Sequence, residues 1–249
     1  MLTLGNLFCG CIAIAFVLSA QNFTTAFNQL QEFEVPAMEQ PYWGSIFIFL
    51  AAIFDMLDGT AARALKIYSP IGKDLDSLAD LVSFGVAPSM ILFKMLWAAN
   101  ITQPGAMDVN MLAMCPAFLV ACFGALRLAR FNITATEQSR FFIGMPIPAV
   151  GILIATLPLI NWQNPMGIAN YFYNTWVLYG IIAMVCWLMV SKIRFFKFMP
   201  AKWNLVNTWP QLIIIITGVA SFNYLQTAAI TLGFALYILL AFVYKPKEL

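Results

Sequence analysis

Asp55, Asp58, Asp76 and Asp80 stand in one short window, FDMLDGTAARALKIYSPIGKDLDSLAD, of a chain in which only 10% of the residues are charged. At about 100° per helical residue, Asp55, Asp58, Gly59, Ala62 and Arg63 share one face, and Asp76 and Asp80 share another. A break at Ser69 and Pro70 separates the two stretches. Two consecutive antiparallel helices joined by a short loop would then bring four carboxylates into one cluster.

Carboxylates that close repel one another, and desolvation adds to the cost of keeping them charged. Arg63 and Lys73 supply part of the compensation. The ordinary partner for convergent Asp oxygens is a hard divalent cation, and four carboxylates suit two Mg²⁺ or Mn²⁺ ions. Two such ions clamp the attacking and leaving oxygens of a phosphoryl displacement. Gly59 and Ala62 lack bulk and leave room on the same face for a phosphorylated group. Asp74 faces away from the Asp76 and Asp80 pair and reads as a solvated residue near the start of its helix. The plain alternatives are a small-residue packing notch and a solvated acidic face. They weigh less here because the aspartates belong to apolar spans, where ionisable groups are costly and functional by default.

The elements that must carry these residues follow from composition. The chain has 249 residues, 62% apolar, with no histidine, and its mean hydropathy is +0.83. These values point to the bilayer as solvent. Apolar runs near the length of a spanning helix cover about residues 2–20, 44–64, 76–99, 111–130, 146–161, 175–191, 207–222 and 224–244. The first lacks the basic start and small-residue cleavage site of a signal peptide. Basic residues fall in every second connection: Arg63, Lys66 and Lys73, then Arg127, Arg130 and Arg140, then Lys192, Arg194, Lys197 and Lys202, then Lys245 and Lys247. The alternate connections carry Glu32, Glu34, Glu39 and Asp108, and Lys94 can snorkel from the end of the third span.

The expectation is an all-α integral membrane protein of about eight transmembrane helices, multi-pass in the cytoplasmic membrane. Both termini, and a site between helices two and three, would face the cytoplasm. The five cysteines fall in apolar runs and imply neither a disulfide framework nor a zinc site. A net charge of +2 without a basic stripe gives no reason to expect nucleic acid as a partner. The acidic segment from Gln21 to Pro41 reads as a solvated outer loop.

Asp55, Asp58, Gly59, Ala62, Arg63, Gly72, Asp76 and Asp80, with their spacings, match the signature of the CDP-alcohol phosphotransferase family. TLGNLFCG in the first run, and LRLARFNI followed by FFIGMPIPAVG, resemble its membrane-embedded phosphatidylserine synthase branch. These segments cover roughly a third of the chain. The resemblance implies one polytopic domain over 1–249, with a catalytic core of about 1–190 and two extra spans at about 207–244. It implies that Asp55, Asp58, Asp76 and Asp80 hold two metals bridging the pyrophosphate of CDP-diacylglycerol, and that Asp80 is also the base for the incoming alcohol. Gly59 and Ala62 would line the cytidine pocket with Arg63 near the nucleotide phosphates, and Gly72 and Lys73 belong to the same substrate-binding group.

On this resemblance the hydroxyl of L-serine attacks, CMP leaves, phosphatidylserine stays in the membrane lipid, and the protein is a homodimer. A carboxylate beside a metal is a plausible proton acceptor in a chain without histidine. For Asn6, nucleotide contact and an interhelical hydrogen bond both stay open. For Arg127, Arg130 and the following Asn132, the two readings are interfacial anchoring and the holding of lipid phosphate or the serine carboxylate. Gly144, Pro146 and Pro148 read as a break before the fifth span. Two other functions compete: the same chemistry with glycerol phosphate or inositol phosphate as acceptor, and a cation or proton transporter.

Overall fold

The structure is a computed structural model that describes residues 2–19, 42–65, 70–101, 110–134, 141–196 and 205–243. The expected outer loop at 21–41 lies outside these residues. Each of the eight apolar runs carries a helix. The helices are α1 (Leu2–Ser19), α2 (Tyr42–Leu65), α3 (Pro70–Asp80), α4 (Ala87–Ile101), α5 (Leu119–Thr134), α6 (Ile147–Gln163), α7 (Thr175–Val190), α8 (Leu205–Leu225) and α9 (Ala228–Val243). A π-helical segment, Leu81–Val86, joins α3 to α4 without a break, so the third run is one long rod.

Among the described residues, four stretches are long and apolar enough to cross a membrane: Leu2–Ser19, Tyr42–Ala62, Ile71–Asn100 and Met111–Ile133. The 3₁₀ segment Pro165–Tyr173 and α7 pass the same test only when taken together across a 91° bend, and the remaining apolar helices are shorter. Large apolar side chains such as Phe8, Ile216, Val219 and Leu239 point outward, an arrangement that suits a lipid surround.

The apolar runs are helical as expected, and the structure adds one short antiparallel ribbon among the described residues. β1 (Phe141–Ile143) pairs with β2 (Arg194–Phe196), with Phe142 opposite Phe195. Three-residue strands carry too little alternation to be read from sequence. The ribbon ties the start of α6 to the end of α7: Gly144 N donates to Ile193 O at 2.9 Å and Met145 N to Leu188 O at 3.0 Å. Gly144 has φ +76°, and a Cβ there would sit 2.3 Å from Met189 O, so this turn requires glycine. Pro146 then caps α6, and Pro148 falls in its first turn, where a missing N–H costs nothing. This is the break expected before the fifth span.

The core gathers around the α3–π–α4 rod. Phe84, Ile91, Leu92 and Leu96 are fully or almost fully buried against Ile147, Ile154, Leu178 and Leu188. Helix α1 lies along α2 and also along the rod, and it packs far more extensively on both than α2 and α3 pack on each other. Its approach to the π segment is close. A Cβ on Gly10 would fall 2.9 Å from Ser83 Cα and 2.3 Å from Ser83 Oγ. Because backbone cannot yield as a side chain can, Gly10→Ala is expected to destabilise the fold by about 1–3 kcal/mol. Thermal unfolding of the detergent-solubilised protein checks this, and an unchanged midpoint would show that α1 and the rod are not so tightly joined.

Candidate active site

The carboxylates converge where the C-terminal half of α2 passes the C-terminal end of α3. One oxygen from each of Asp55, Asp76 and Asp80 lies within 4.8 Å of the others. Asp80 is the most enclosed, at 8% exposure, and the π segment begins at the next residue. The fourth predicted ligand, Asp58, stands one turn further along α2. It is close enough to interact electrostatically with Asp55 and Asp76, but its Oδ2 accepts a hydrogen bond from Thr3 Oγ1. Asp74 is exposed and outside the cluster.

Helix α1 supplies what holds this arrangement. Asn6, completely buried, donates from Nδ2 to Asp80 Oδ1 at 3.0 Å. Its backbone carbonyl accepts from Ser83 Oγ at 2.9 Å. Thr3 and Asn6, three residues apart on one helical face, thus engage one carboxylate on α2 and one on α3. Of the two readings for Asn6, the structure makes the interhelical bond. The Asn6 Oδ1 atom is buried without a hydrogen-bond partner, so one polar oxygen beside Asp80 stays available to a ligand.

The site fits a hard divalent cation by its own chemistry. All its donors are carboxylate oxygens, they come from two directions, and three are close enough to share one ion. Like charges at this spacing in apolar surroundings need a cation. One comes from the protein: Arg127 on α5, at 7% exposure, interacts electrostatically with Asp80. Its guanidinium carbon lies 5.6 Å from the centre of the Phe131 ring, and its Nε is buried without a hydrogen-bond partner. Sequence reasoning put Arg127 among acceptor or lipid contacts and did not see it facing the carboxylates. The available signal was an arginine inside an apolar helical run.

The remaining predicted residues divide. Gly59 is exposed, and a Cβ there would meet nothing within 4 Å, so open space adjoins the carboxylate face of α2. Ala62 is half-buried on the same helix. The Arg63 side chain lies outside the described residues. Gly72 and Lys73 are exposed in the first turn of α3. Lys73 Nζ donates to Asn132 O at 3.1 Å, and Asn132 Nδ2 donates to Ser77 Oγ at 2.9 Å. Lys73 and Asn132 therefore link α3 to the end of α5, a connection the sequence did not disclose. Arg130 is exposed. A cavity of about 250 Å³ opens between α5, β1 and the end of α7, lined by Arg127, Arg130, Phe131, Ile143, Met189 and Ser191.

Comparison with known proteins agrees with this chemistry. The chain is 36% identical over 197 residues to the CDP-diacylglycerol–serine O-phosphatidyltransferase of Bacillus subtilis (strain 168), covering 78% of this chain and 87% of that protein. It is 38% identical over 163 residues to the protein of the same name from Helicobacter pylori (strain J99), covering 64% of this chain, and it spans only 62% of that relative's length. A Methanocaldococcus jannaschii protein of the same name is 36% identical over 176 residues, covering 70% of this chain and 74% of the relative. Residues 1–190 match the family model for CDP-alcohol phosphatidyltransferases, a stretch that contains every carboxylate of the cluster; the chain belongs to the CDP-alcohol phosphatidyltransferase family.

Proposed function

We propose that the protein transfers the phosphatidyl group of CDP-diacylglycerol to the hydroxyl of L-serine, giving phosphatidylserine and CMP. The observation that carries this reading is the cluster of Asp55, Asp76 and Asp80 on apolar helices. The names of the relatives support serine as the acceptor.

In this reaction a bond forms between the serine oxygen and the phosphorus bearing diacylglycerol. The bond from that phosphorus to the CMP oxygen breaks, and CMP keeps the electron pair. Asp55, Asp58, Asp76 and Asp80 would hold two Mg²⁺ or Mn²⁺ ions. When bound, these neutralise the pyrophosphate and stabilise the charge that develops on its oxygens. Asp80, oriented by Asn6, takes the proton of the serine hydroxyl. The open face at Gly59 and Ala62 accepts the nucleotide, with Arg63, Gly72 and Lys73 nearby. Arg127 and Arg130 bind the serine carboxylate in the cavity they line, since a guanidinium pairs bidentately with a carboxylate.

The catalytic core occupies about residues 1–190, and α8 and α9 are additions to it. The chain crosses the cytoplasmic membrane eight times, with both termini and the site on the cytoplasmic side, where serine and the nucleotide are available, and it acts as a homodimer. The same two arginines would also suit a phosphate-bearing alcohol, so glycerol phosphate and inositol phosphate are the competing acceptors.

Purified protein supplied with CDP-diacylglycerol, Mg²⁺ or Mn²⁺ and labelled alcohols is expected to release CMP and to label lipid with serine. Vigorous use of another alcohol with no serine incorporation would sink the serine assignment. Asp80→Asn should lower turnover by about 10²–10⁴-fold, and full CMP release by that variant would remove Asp80 from the base role. Asp55→Asn and Asp76→Asn should abolish the rise in melting temperature that Mn²⁺ gives the parent protein, a readout independent of catalysis. Undiminished stabilisation by the ion in both variants would place the metal elsewhere.

A further inference from the structure

The cavity of about 250 Å³ beside Arg127 has two guanidiniums on one wall and the end of a helix on another. It exceeds the ~30 Å³ share of one water several-fold, so it holds a molecule of a few heavy atoms. Of the described side chains that line it, Arg127 and Arg130 only donate hydrogen bonds, and Ser191 alone carries an oxygen; the others are apolar. Arg127 is 7% exposed and its buried Nε has no hydrogen-bond partner, so this wall calls for an anion.

The wall formed by α7 has the contrary polarity. The carbonyls in the last turn of a helix carry a partial negative charge and lack partners within the helix. At the end of α7 two of them are used. Trp187 O accepts from Ser191 N at 2.9 Å, and Leu188 O accepts from Met145 N at 3.0 Å and from Ser191 Oγ at 2.9 Å. Met189 O lies against Gly144, where a Cβ would come within 2.3 Å of it. Val190 O takes no hydrogen bond from the described residues. Ser191 Oγ, having donated its proton to Leu188 O, keeps its lone pairs. Lys192, the next residue, is exposed and does not line the cavity.

An anionic alcohol satisfies only the arginine wall. A zwitterion with carboxylate and ammonium on one carbon satisfies both walls, and its ammonium finds no acceptor side chain in the cavity other than Ser191. An enclosed ammonium without acceptors is costly, so the helix end decides whether such a molecule can enter.

We propose that the C-terminal end of α7, through Ser191 Oγ and the Val190 carbonyl, binds the ammonium of the acceptor, so that the cavity selects an amino acid over an anionic alcohol. This deepens the reading of L-serine as acceptor and rests on it.

The test measures CMP release by the full-length chain with CDP-diacylglycerol and Mn²⁺. It compares L-serine with 3-hydroxypropionate, which has the same hydroxyl and carboxylate but no ammonium. The inhibition constant of 3-hydroxypropionate is expected to exceed the Michaelis constant for L-serine about ten- to a hundredfold, the effect of losing hydrogen bonds from a charged group. Ser191→Ala should raise the constant for L-serine about three- to tenfold. It should leave the constants for 3-hydroxypropionate and CDP-diacylglycerol and the melting temperature unchanged, since Leu188 O keeps its bond from Met145 N. A merely structural change would weaken both acceptor-site compounds together.

Equal binding of the two compounds by the parent protein overturns the proposal. So does an equal loss for both in Ser191→Ala, or no loss for either. If the two compounds bind equally and Arg127→Lys weakens both, the ammonium site falls while the acceptor reading of the cavity stands. If Arg127→Lys weakens neither, or glycerol phosphate is used and L-serine is not, the acceptor reading fails as well.

Discussion

Mutual repulsion among the aspartates is the constraint around which the rest of this protein is arranged. Asp55, Asp76 and Asp80 present oxygens within 4.8 Å of one another in a chain otherwise built for lipid. Such a group would separate unless something held its helices together and something positive faced it. Helix α1 meets the first requirement. Thr3 engages Asp58 on α2, Asn6 engages Asp80, and Gly10 lets the α1 backbone approach Ser83 closely. The two acidic helices are thus coupled less by their own contact than by a third helix lying against both.

The π segment belongs to the same solution. It begins immediately after Asp80, and Ser83 within it returns a hydrogen bond to the Asn6 carbonyl. A π turn inserts one residue into the helical register, so the face that carries Asp76 and Asp80 differs from the one that packs through Phe84, Ile91 and Leu92. One rod can therefore offer carboxylates at one end and a mainly apolar buried face along its length, interrupted by the hydrogen-bonded Ser83 and Ser89.

Positive charge enters from the opposite side. Helix α5 buries Arg127 toward Asp80, and the Lys73–Asn132–Ser77 link keeps the end of α5 beside the start of α3. Ile143 of β1 and Met189 and Ser191 at the end of α7 form the other wall of the cavity that Arg127 and Arg130 line. The carboxylate cluster and Arg127 thus sit on different helices, a division that suits the proposed reaction, in which a dianionic donor and the carboxylate of the acceptor must both be held.

The aspartates, their helical faces, the eight apolar runs and the membrane class were legible in the sequence. Periodicity and composition are local properties, and a charge in an apolar run is conspicuous wherever the chain folds. The break at Gly144 to Pro148 was legible for the same reason. The partners were not. Asn6 was recognisable as a buried polar group, but that it meets Asp80, 74 residues away, depends on how α1 packs. Arg127 was open between interfacial anchoring and the holding of lipid phosphate or the acceptor carboxylate, and only the packing of α5 brings it within electrostatic reach of Asp80; that Lys73 bonds to Asn132 likewise depends on how α3 lies against α5. Residue types and their spacing determined what chemistry the chain could carry. Only packing decided which polar groups face one another, because hydrogen bonds and charge pairs between helices act over a few ångströms and leave no periodic mark on the sequence.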